Sequence, residues 1–444
     1  MRLIADRPAP GTARPYRFPH VVRRPGIVAA HLPGQMLAVA VLLLDAGAGR
    51  EPAGREGVAT VVASALHEGT TTRDSTAYAL ALEGLGTRLV TAVDWDSFRV
   101  SVQAQADRLP EAVALLTEAV RTPRLDPADV ARVRDDKVTA QRMRWAEPGP
   151  RADAALRADL FGGEQRHGRP LHGDPDSVAA VSVEDAIGFH RDWLGQPGTL
   201  LVAGDLDRID IDALATTVFT GAGAPVPDPG GALPVTAPQD RRIVLVDRPA
   251  AVQSTLRLGH AAPHRSHADY VPMLLAATVL GGAFTSRLNH LIREVRGYTY
   301  GIRSTFDQSR RFGQFVVRAS VQTGVTAPAV IDTVGEIART HADGVTDEEL
   351  AVARAWRAGQ LSVDLQTPAA IAGALATLVV HGLPDDYHTT LRAALLAADV
   401  DTVSAAAAQH MHPAGLTLVV EGDAAAIRDE LAASGLGEVV DATL

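Results

Sequence analysis

The 444-residue sequence contains no cysteine, which excludes disulfide bonds, thiolate catalysis and cysteine-ligated metal centres. Long apolar runs are also absent. The longest extends from Met36 to Leu44, far short of the ~20 residues that a membrane-spanning helix needs, and is predicted to be a buried strand. Residues 1–19 are rich in arginine and proline and lack the apolar core of a secretory signal. We therefore expect a cytoplasmic protein without a membrane partner.

Basic residues are outnumbered by acidic ones, 42 against 52, which gives a formal net charge of −10. So acidic a chain is not expected to bind nucleic acid or an anionic membrane. The charge is compatible with basic peptide substrates, although a solvated surface is its commoner cause. Phosphate-binding and dinucleotide fingerprints are absent, because Gly281-Gly282 lacks the strand–loop–helix context that they require. Ser64 has no evident base, which disfavours a serine hydrolase.

The chain is predicted to consist of two related halves. A Pro/Gly-rich stretch, residues 220–239, has no periodicity and is predicted to be a linker between residues 1–219 and residues 240–444. Each half contains a strand, two helices, two alternating strands, further helices, and a closing helix followed by a strand. The predicted fold is therefore α+β, with two tandem homologous domains, each a mostly antiparallel sheet packed with helices.

The predicted elements of the two halves follow the same order. In the first half they are the strand Leu37–Leu44, helices Gly57–Leu66 and Ser75–Leu85, and strands over 87–93 and 97–104. In the second half they are the strand Val252–Leu258, helices Tyr270–Leu280 and Ser286–Val295, and strands Tyr300–Phe306 and Gly313–Ser320.

The stretch Gly57–Thr70 reads G-V-A-T-V-V-A-S-A-L-H-E-G-T. It resembles G-L-A-H-F-L-E-H-M-L-F-K-G-T of the insulinase/pitrilysin family, whose motif H-x-x-E-H places two zinc-binding His on one helix face with a Glu general base. Aligned without a gap, the two His fall on Thr60 and Ser64 and the Glu falls on Ala63. The family's third ligand, a Glu 77 residues further on, falls on Gln141. Since an amide is a poor ligand and alanine cannot accept a proton, no metal is expected in this chain.

The segment Leu280–Tyr300, L-G-G-A-F-T-S-R-L-N-H-L-I-R-E-V-R-G-Y-T-Y, resembles the family pattern L-G-G-G-x-x-S-R-L-x-x-x-L-R-E-x-x-G-L-x-Y. The family uses an Arg and a Tyr seven residues apart, which here are Arg293 and Tyr300. The Arg is predicted on the last turn of a helix and the Tyr at the start of the next strand, with a turn at Gly297, so that both point into one cavity. A guanidinium can hold a peptide carbonyl or carboxylate, and a phenol can donate to a developing oxyanion. Without the surrounding pattern, an Arg at a helix C-terminus and a Tyr on a half-buried strand would each be explained by structure alone.

The resemblance extends over essentially the whole chain, and Gly47–Glu51 also resembles the family's G-S-R-x-E turn. It implies a non-catalytic, substrate-binding subunit of the heterodimeric type, to which mitochondrial processing peptidase and its bacterial relatives belong. In such pairs a homologous catalytic subunit carries H-x-x-E-H and zinc, and the other chain supplies the Arg and Tyr to cleave a peptide substrate. The short Gly281–Thr285 loop is closer to the bacterial pairs. An inactive scaffold subunit and a peptide-binding homodimer remain as alternatives.

The densest histidine group is His260, His264 and His267 in H-A-A-P-H-R-S-H, which is predicted to lie in a loop between a strand and a helix. Asp269 alone does not complete the four ligands of a closed metal site. His410 is predicted at a helix end, a favourable position for histidine that implies no chemistry.

Overall fold

The structure, a computed structural model, describes residues 17–220, 233 and 240–443, and it contains two six-stranded sheets. Apart from Thr220 and Leu233, the predicted linker lies outside the described residues. The first sheet comprises β1 (Val21–Arg24), β2 (Ile27–His31), β3 (Leu37–Leu44), β4 (Val90–Val93), β5 (Phe98–Gln105) and β6 (Thr199–Gly204). The second comprises β7 (Arg242–Asp247), β8 (Gln253–Ala262), β9 (Ile302–Gln308), β10 (Gly313–Gln322), β11 (Thr417–Gly422) and β12 (Glu438–Asp441).

Within the described residues, α-helices surround these sheets. Those of the first half are α1 (Val58–Ala65), α2 (Ser75–Gly84), α3 (Leu109–Arg121), α4 (Pro127–Ala146), α5 (Pro150–Phe161), α6 (Pro175–Ala179), α7 (Val183–Phe189) and α8 (Ile211–Phe219). Those of the second half are α9 (Tyr270–Ala277), α10 (Thr326–Asp343), α11 (Asp347–Asp364), α12 (Pro368–Val380), α13 (Tyr387–Ala397), α14 (Val400–His410) and α15 (Ala424–Ala433). Three segments wind as π-helix: His190–Leu194, Thr278–Gly282 and Asn289–Val295.

The two sheets share one topology. Their strand orders are β1-β2-β6-β3-β5-β4 and β12-β7-β11-β8-β10-β9. Five strands of each sheet, β2 to β6 and β7 to β11, therefore follow the same spatial order. Only the sixth strand differs, because β1 pairs antiparallel with β2 whereas β12 pairs parallel with β7. The order confirms the predicted pair of homologous, mostly antiparallel α+β units.

Strand β3 is apolar throughout because both of its faces are buried. Leu42 and Leu44 on one face belong to the core that α1 and α3 cover. Val41 and Leu43 on the other face pack with α12. A strand buried on both faces cannot show the alternation of a half-exposed strand, which explains the unbroken apolar run in the sequence.

Each sheet is completed by a helix from the other half of the chain. Helix α12 of the second half packs on β2, β3 and β6 of the first sheet, where Leu375 joins the core around Val41. Conversely, α5 of the first half packs on β8 and β11, where Leu156 joins Val316 and Val419. Each half therefore has a core of its own and shares one further apolar cluster on each sheet with the other half. No single helix among the described residues has the length and apolarity to span a membrane; α11 and α12 meet that test only as a pair bent by 114°.

Three local predictions require correction. The helix expected over Ser286–Val295 winds largely as π-helix, and the strand expected from Tyr300 begins at Ile302. Side chains bond the backbone where the strand begins: Asn289 Nδ2 donates to Ile302 O at 2.9 Å, and Thr299 Oγ1 donates to Ser320 O at 2.7 Å. His260 lies within β8 rather than in a loop, where its ring stacks on Phe315 of β10.

Candidate functional site

Helix α1 carries three of the four positions at which the family has zinc-site residues. Thr60 Oγ1 donates to Gly57 O at 2.7 Å, so its hydroxyl is engaged by its own helix. Ala63 is buried in the first core and has no donor atom, and Ser64 is half-buried. None of these three side chains is an imidazole or a carboxylate, the groups that bind zinc and accept the proton in the family. Gly57 precedes the helix at φ +99°, with the carbonyl of His172 too close for a Cβ.

Gln141, the fourth position, lies on α4, which packs against α1. Its side chain is only 8% exposed, and Nε2 donates to His172 O at 2.7 Å and to Gly173 O at 3.1 Å. The amide therefore ties α4 to the loop beside the start of α1. A carboxylate could not donate these two bonds. The four residues do not fit a zinc ion, which prefers imidazole, thiolate or carboxylate ligands.

Glu51 also holds the start of α1 in place. The sequence placed this residue in the Gly47–Glu51 turn but did not indicate this role. Its carboxylate accepts from Gly57 N at 3.0 Å and from Ala59 N at 2.9 Å, and it pairs with Arg166 at 2.5 Å. The carboxylate thus satisfies free N–H groups at the start of α1. The frame of the zinc helix is retained although its ligands are replaced.

A cavity of about 190 Å³ lies beside Gln141, between the first half and β10. Arg144, Arg157 and Arg318 line it together with His172. Burial, reinforced by nearby cationic side chains, lowers the pKa of His172 to about 4, so this ring is neutral at pH 7. Burial also lowers the pKa of Arg157 to about 10. Asp153 also lines the cavity and lies 3.8 Å from Arg318, but the three arginines outnumber it, which makes the cavity unfavourable for a metal cation and more favourable for an anionic group.

Arg293 and Tyr300 lie on either side of a turn at Gly297, whose φ is +66°. The Arg293 side chain is 22% exposed; its guanidinium carbon lies 3.7 Å from the centroid of the Phe284 ring, and Nη2 lies 3.2 Å from Glu294 Oε1. Tyr300 is 99% exposed and precedes β9. This chain therefore does not enclose the phenol in a cavity, and the predicted strand position of Tyr300 is wrong.

Ligating side chains meet elsewhere in the described part of the chain. The two groups are His267, Asp269 and His410, and His31, Asp205 and Asp207. Neither includes a zinc-motif position on α1 or α4. His410 ends α14, which confirms its predicted position at a helix end, but its contact with Asp269 could not be predicted from the sequence.

Sequence-family models match most of the chain. Residues 27–173 match the model described as Insulinase (Peptidase family M16), and residues 180–355 match the one described as Peptidase M16 inactive domain. Similar proteins described as uncharacterized zinc proteases occur in Mycobacterium leprae, 28% identical over 77% of this chain and 77% of that protein, and in Streptomyces coelicolor, 26% identical over 83% and 81%.

Solved structures share the fold. A crystal structure titled as a peptidase M16 inactive domain from Pseudomonas fluorescens aligns with a TM-score of 0.81 and 24% identity, over 89% of this chain and 95% of that one. A protease from Helicobacter pylori aligns with a TM-score of 0.81 and 17% identity, over 92% and 100%. Together with the sequence matches and the ligand-free positions on α1 and α4, these findings show that the chain belongs to the insulinase family of peptidases, family M16, as a member without a catalytic zinc site at the family's position.

Proposed function

We propose that this chain is the substrate-binding subunit of a two-chain zinc peptidase, and that zinc and the general base reside on a homologous partner carrying H-x-x-E-H. The observation that carries this proposal is a contrast within one chain. The positions of the metal ligands and base hold Thr60, Ala63, Ser64 and Gln141, whereas the segment containing Arg293 and Tyr300 keeps the family pattern. The chain lacks all of the metal ligands and the general base but keeps the Arg and the Tyr. This contrast favours an active site whose functional groups are divided between two chains.

The exposure of the retained segment supports a role that needs a second surface. Phe284, Val295 and Tyr300 are 69%, 60% and 99% exposed. A tyrosine hydroxyl in bulk water stabilises an oxyanion weakly, whereas the same donor in a water-excluded site contributes far more. A partner that closes over this segment would exclude water. Arg293 would then hold a peptide carbonyl or carboxylate, and Tyr300 would donate to the oxygen that becomes negative during cleavage.

An open sheet edge supports peptide binding. Strand β4 ends the first sheet and, among the described strands, pairs only with β5. A groove of about 760 Å³ lies over the neighbouring strand β5, lined in part by Ser101 and Gln103 of β5 and reaching Val90 of β4. An extended peptide can add to such an edge through backbone hydrogen bonds, which do not depend on its sequence. We propose this edge as the place where an unfolded peptide segment docks.

The test is to purify the chain with its H-x-x-E-H partner and measure kcat and KM on an internally quenched peptide. Arg293→Ala and Tyr300→Phe are expected to lower kcat/KM by about 10²-fold, with kcat falling for Tyr300→Phe because its donor acts in the transition state. Matched control positions, one Arg and one Tyr, lie between Arg293 and Tyr300 in the sequence. Arg296→Ala removes an exposed ion pair with Asp332, and Tyr298→Phe removes only a hydroxyl. Both are expected to change kcat/KM less than about two-fold.

Size-exclusion chromatography with light scattering must show the pair intact in every variant. Wild-type rates for both Arg293→Ala and Tyr300→Phe would refute the catalytic contribution. A stable pair that binds peptide without turnover would favour a peptide-binding module. A chain that associates only with an unrelated assembly, or only with itself, would favour a scaffold or a homodimer.

A further inference from the structure

Three ligand atoms from distant parts of the sequence converge in the second half. Asp269 Oδ2 lies 2.7 Å from His410 Nε2 and 3.8 Å from His267 Nδ1. All three atoms lie within 4.8 Å of one another. His410 follows Asp269 by 141 positions, so the group is created by the packing of α14 against α9.

The Asp269 carboxylate is not used to cap its own helix. Asp269 occupies the N-cap of α9, but its side chain makes no capping hydrogen bond there. Its carboxylate instead faces the last residue of α14. His410 is buried, while Asp269 and His267 are about one-third exposed. The group therefore has a fixed inner wall and an open outer side through which water could reach a bound ion.

We propose that His267, Asp269 and His410 bind one divalent transition-metal ion of the Zn²⁺ class. Metal–ligand bonds of about 2.0–2.2 Å at tetrahedral angles separate ligand atoms by roughly 3.3–3.6 Å. The observed 2.7 and 3.8 Å bracket that range and the third pair of atoms lies within 4.8 Å, so rotation of the partly exposed His267 and Asp269 side chains can bring the three atoms to it. His267 Nδ1 accepts from Asp269 N at 3.1 Å, a bond that the ion would replace. Two imidazoles and one carboxylate suit Zn²⁺, Co²⁺ or Ni²⁺ and are a poor set for Mg²⁺.

The other group, around His31, is a less suitable site and serves as an internal comparison. His31 Nδ1 accepts from Leu206 N at 3.1 Å, just as His267 Nδ1 accepts from Asp269 N at 3.1 Å, so the two groups differ in their carboxylates. Asp205 accepts from Gly34 N at 3.0 Å through one oxygen and from Asp207 N at 3.2 Å through the other. Asp207 itself is largely in solvent. Both oxygens of Asp205 are therefore engaged in the turn that they stabilise, whereas Asp269 makes no capping hydrogen bond to its own helix.

A metal at the His410 site would join the start of α9 to the end of α14. It would be structural rather than catalytic in the proposed peptidase, because it belongs to neither α1 nor the segment ending at Tyr300. Zinc recovered with this chain would consequently not indicate a functional zinc motif on α1. The inference does not depend on the partner subunit, since every ligand belongs to this chain.

The test uses the full chain without a histidine tag, stripped with EDTA and dialysed. Titration with Zn²⁺ by calorimetry is expected to show one equivalent per chain with a Kd in the micromolar range or below, and no heat with Mg²⁺. Co²⁺ is expected to give the visible absorption of a four- or five-coordinate site. Asp269→Asn and His267→Asn should weaken Zn²⁺ binding at least ten-fold. His290→Asn, a change at an exposed histidine, and His31→Asn should leave it unchanged.

His267 and Asp269 are partly exposed, so their variants are expected to fold, which circular dichroism will verify; His410→Gln serves as a third variant. Retention of wild-type affinity in folded His267→Asn and Asp269→Asn would overturn the proposal. So would loss of binding in His31→Asn, or the absence of saturable Zn²⁺ binding by the wild-type chain. In the last case the group is a histidine–aspartate hydrogen bond only.

Discussion

Arg166 and Glu51 form an ion pair that is buried at the beginning of α1, with Arg166 Nη2 2.5 Å from Glu51 Oε2. The same carboxylate accepts from the backbone of Gly57 and Ala59. One acidic side chain thus fixes the start of the helix that carries the zinc motif in the family. The pair explains how the helix keeps its position after its ligands have been replaced, because the anchor lies outside the motif.

We expect Glu51→Gln to lower the free energy of unfolding by about 3–5 kcal/mol, because the Arg166 guanidinium would stay buried without its counter-charge. Urea denaturation at pH 7, followed by circular dichroism, measures the change. Glu111→Gln is the matched control, since its ion pair with Arg108 is more than half exposed and should contribute no more than about 1 kcal/mol. Equal effects of the two substitutions would contradict a structural role for the buried pair.

Gln141→Glu tests whether the former ligand position is now built for an amide. A carboxylate there would face the carbonyls of His172 and Gly173 without a proton to donate, and we expect a loss of about 1–3 kcal/mol. Gln103→Glu makes the same chemical change at an exposed site and should alter stability by less than about 0.5 kcal/mol. A Gln141→Glu chain as stable as wild type would show that the two hydrogen bonds are dispensable.

Features that depend on local pattern could be predicted from the sequence. The bounds of β3, Leu37–Leu44, were read from a run of apolar residues, and α1 from Gly57 and the small residues after it. The duplication followed from the repeated order of such patterns. The residues at the family's ligand positions, from Thr60 to Gln141, could also be identified from the sequence, because the motif has a fixed spacing.

Features that depend on tertiary packing could not be predicted. Nothing in the sequence of α5 or α12 marks that each covers the sheet of the other half. The grouping of Asp269 with His410 could not be predicted, because the two residues meet only when α14 packs on α9. The start of β9 was misplaced for a similar reason, since Asn289 and Thr299 satisfy backbone groups that the pattern had assigned to a strand.

Acidification is expected to destabilise the chain through buried histidines. His260 Nε2 accepts from His412 N at 3.1 Å and the other ring nitrogen bonds Ala261 O at 2.9 Å, so the neutral ring fits with Nδ1 protonated. Burial lowers the pKa of His260 to about 4, whereas the unfolded value is about 6.5. The unfolded chain therefore binds the proton first, and the free energy of unfolding falls as pH drops from 6.5 to 4.

The check is urea denaturation at several pH values in this window, with EDTA present. His260→Gln should reduce the slope by up to about 1.4 kcal/mol per pH unit, the value for one proton. His290→Asn, at an exposed position, should leave the slope as it is in wild type. An unchanged slope in His260→Gln would show that this ring does not contribute to the acid sensitivity.

Because α5 and α12 each pack on the sheet of the other half, we predict that neither half folds alone. Residues 1–219 would expose the face of the first sheet around Val41 and Leu201, which α12 covers, and the apolar side of α5. We expect each half expressed separately to aggregate or to bind a hydrophobic dye, and the two halves expressed together to co-purify. Monomeric halves with their own cooperative unfolding transitions would contradict this prediction.

Leu375→Ala tests the same interface in the intact chain. Leu375 on α12 is fully buried against the first sheet, and its truncation is expected to cost about 2–5 kcal/mol. Val363→Ala on α11 is the control, because Val363 is 63% exposed and should change stability by less than about 0.5 kcal/mol. Since each sheet is covered by a helix of the other half, Leu375→Ala should shift one single transition for both halves. Circular dichroism and tryptophan fluorescence should detect it alike, because Trp95, Trp145 and Trp193 lie in the first half and Trp356 in the second. Two separated transitions would mean that the halves unfold independently.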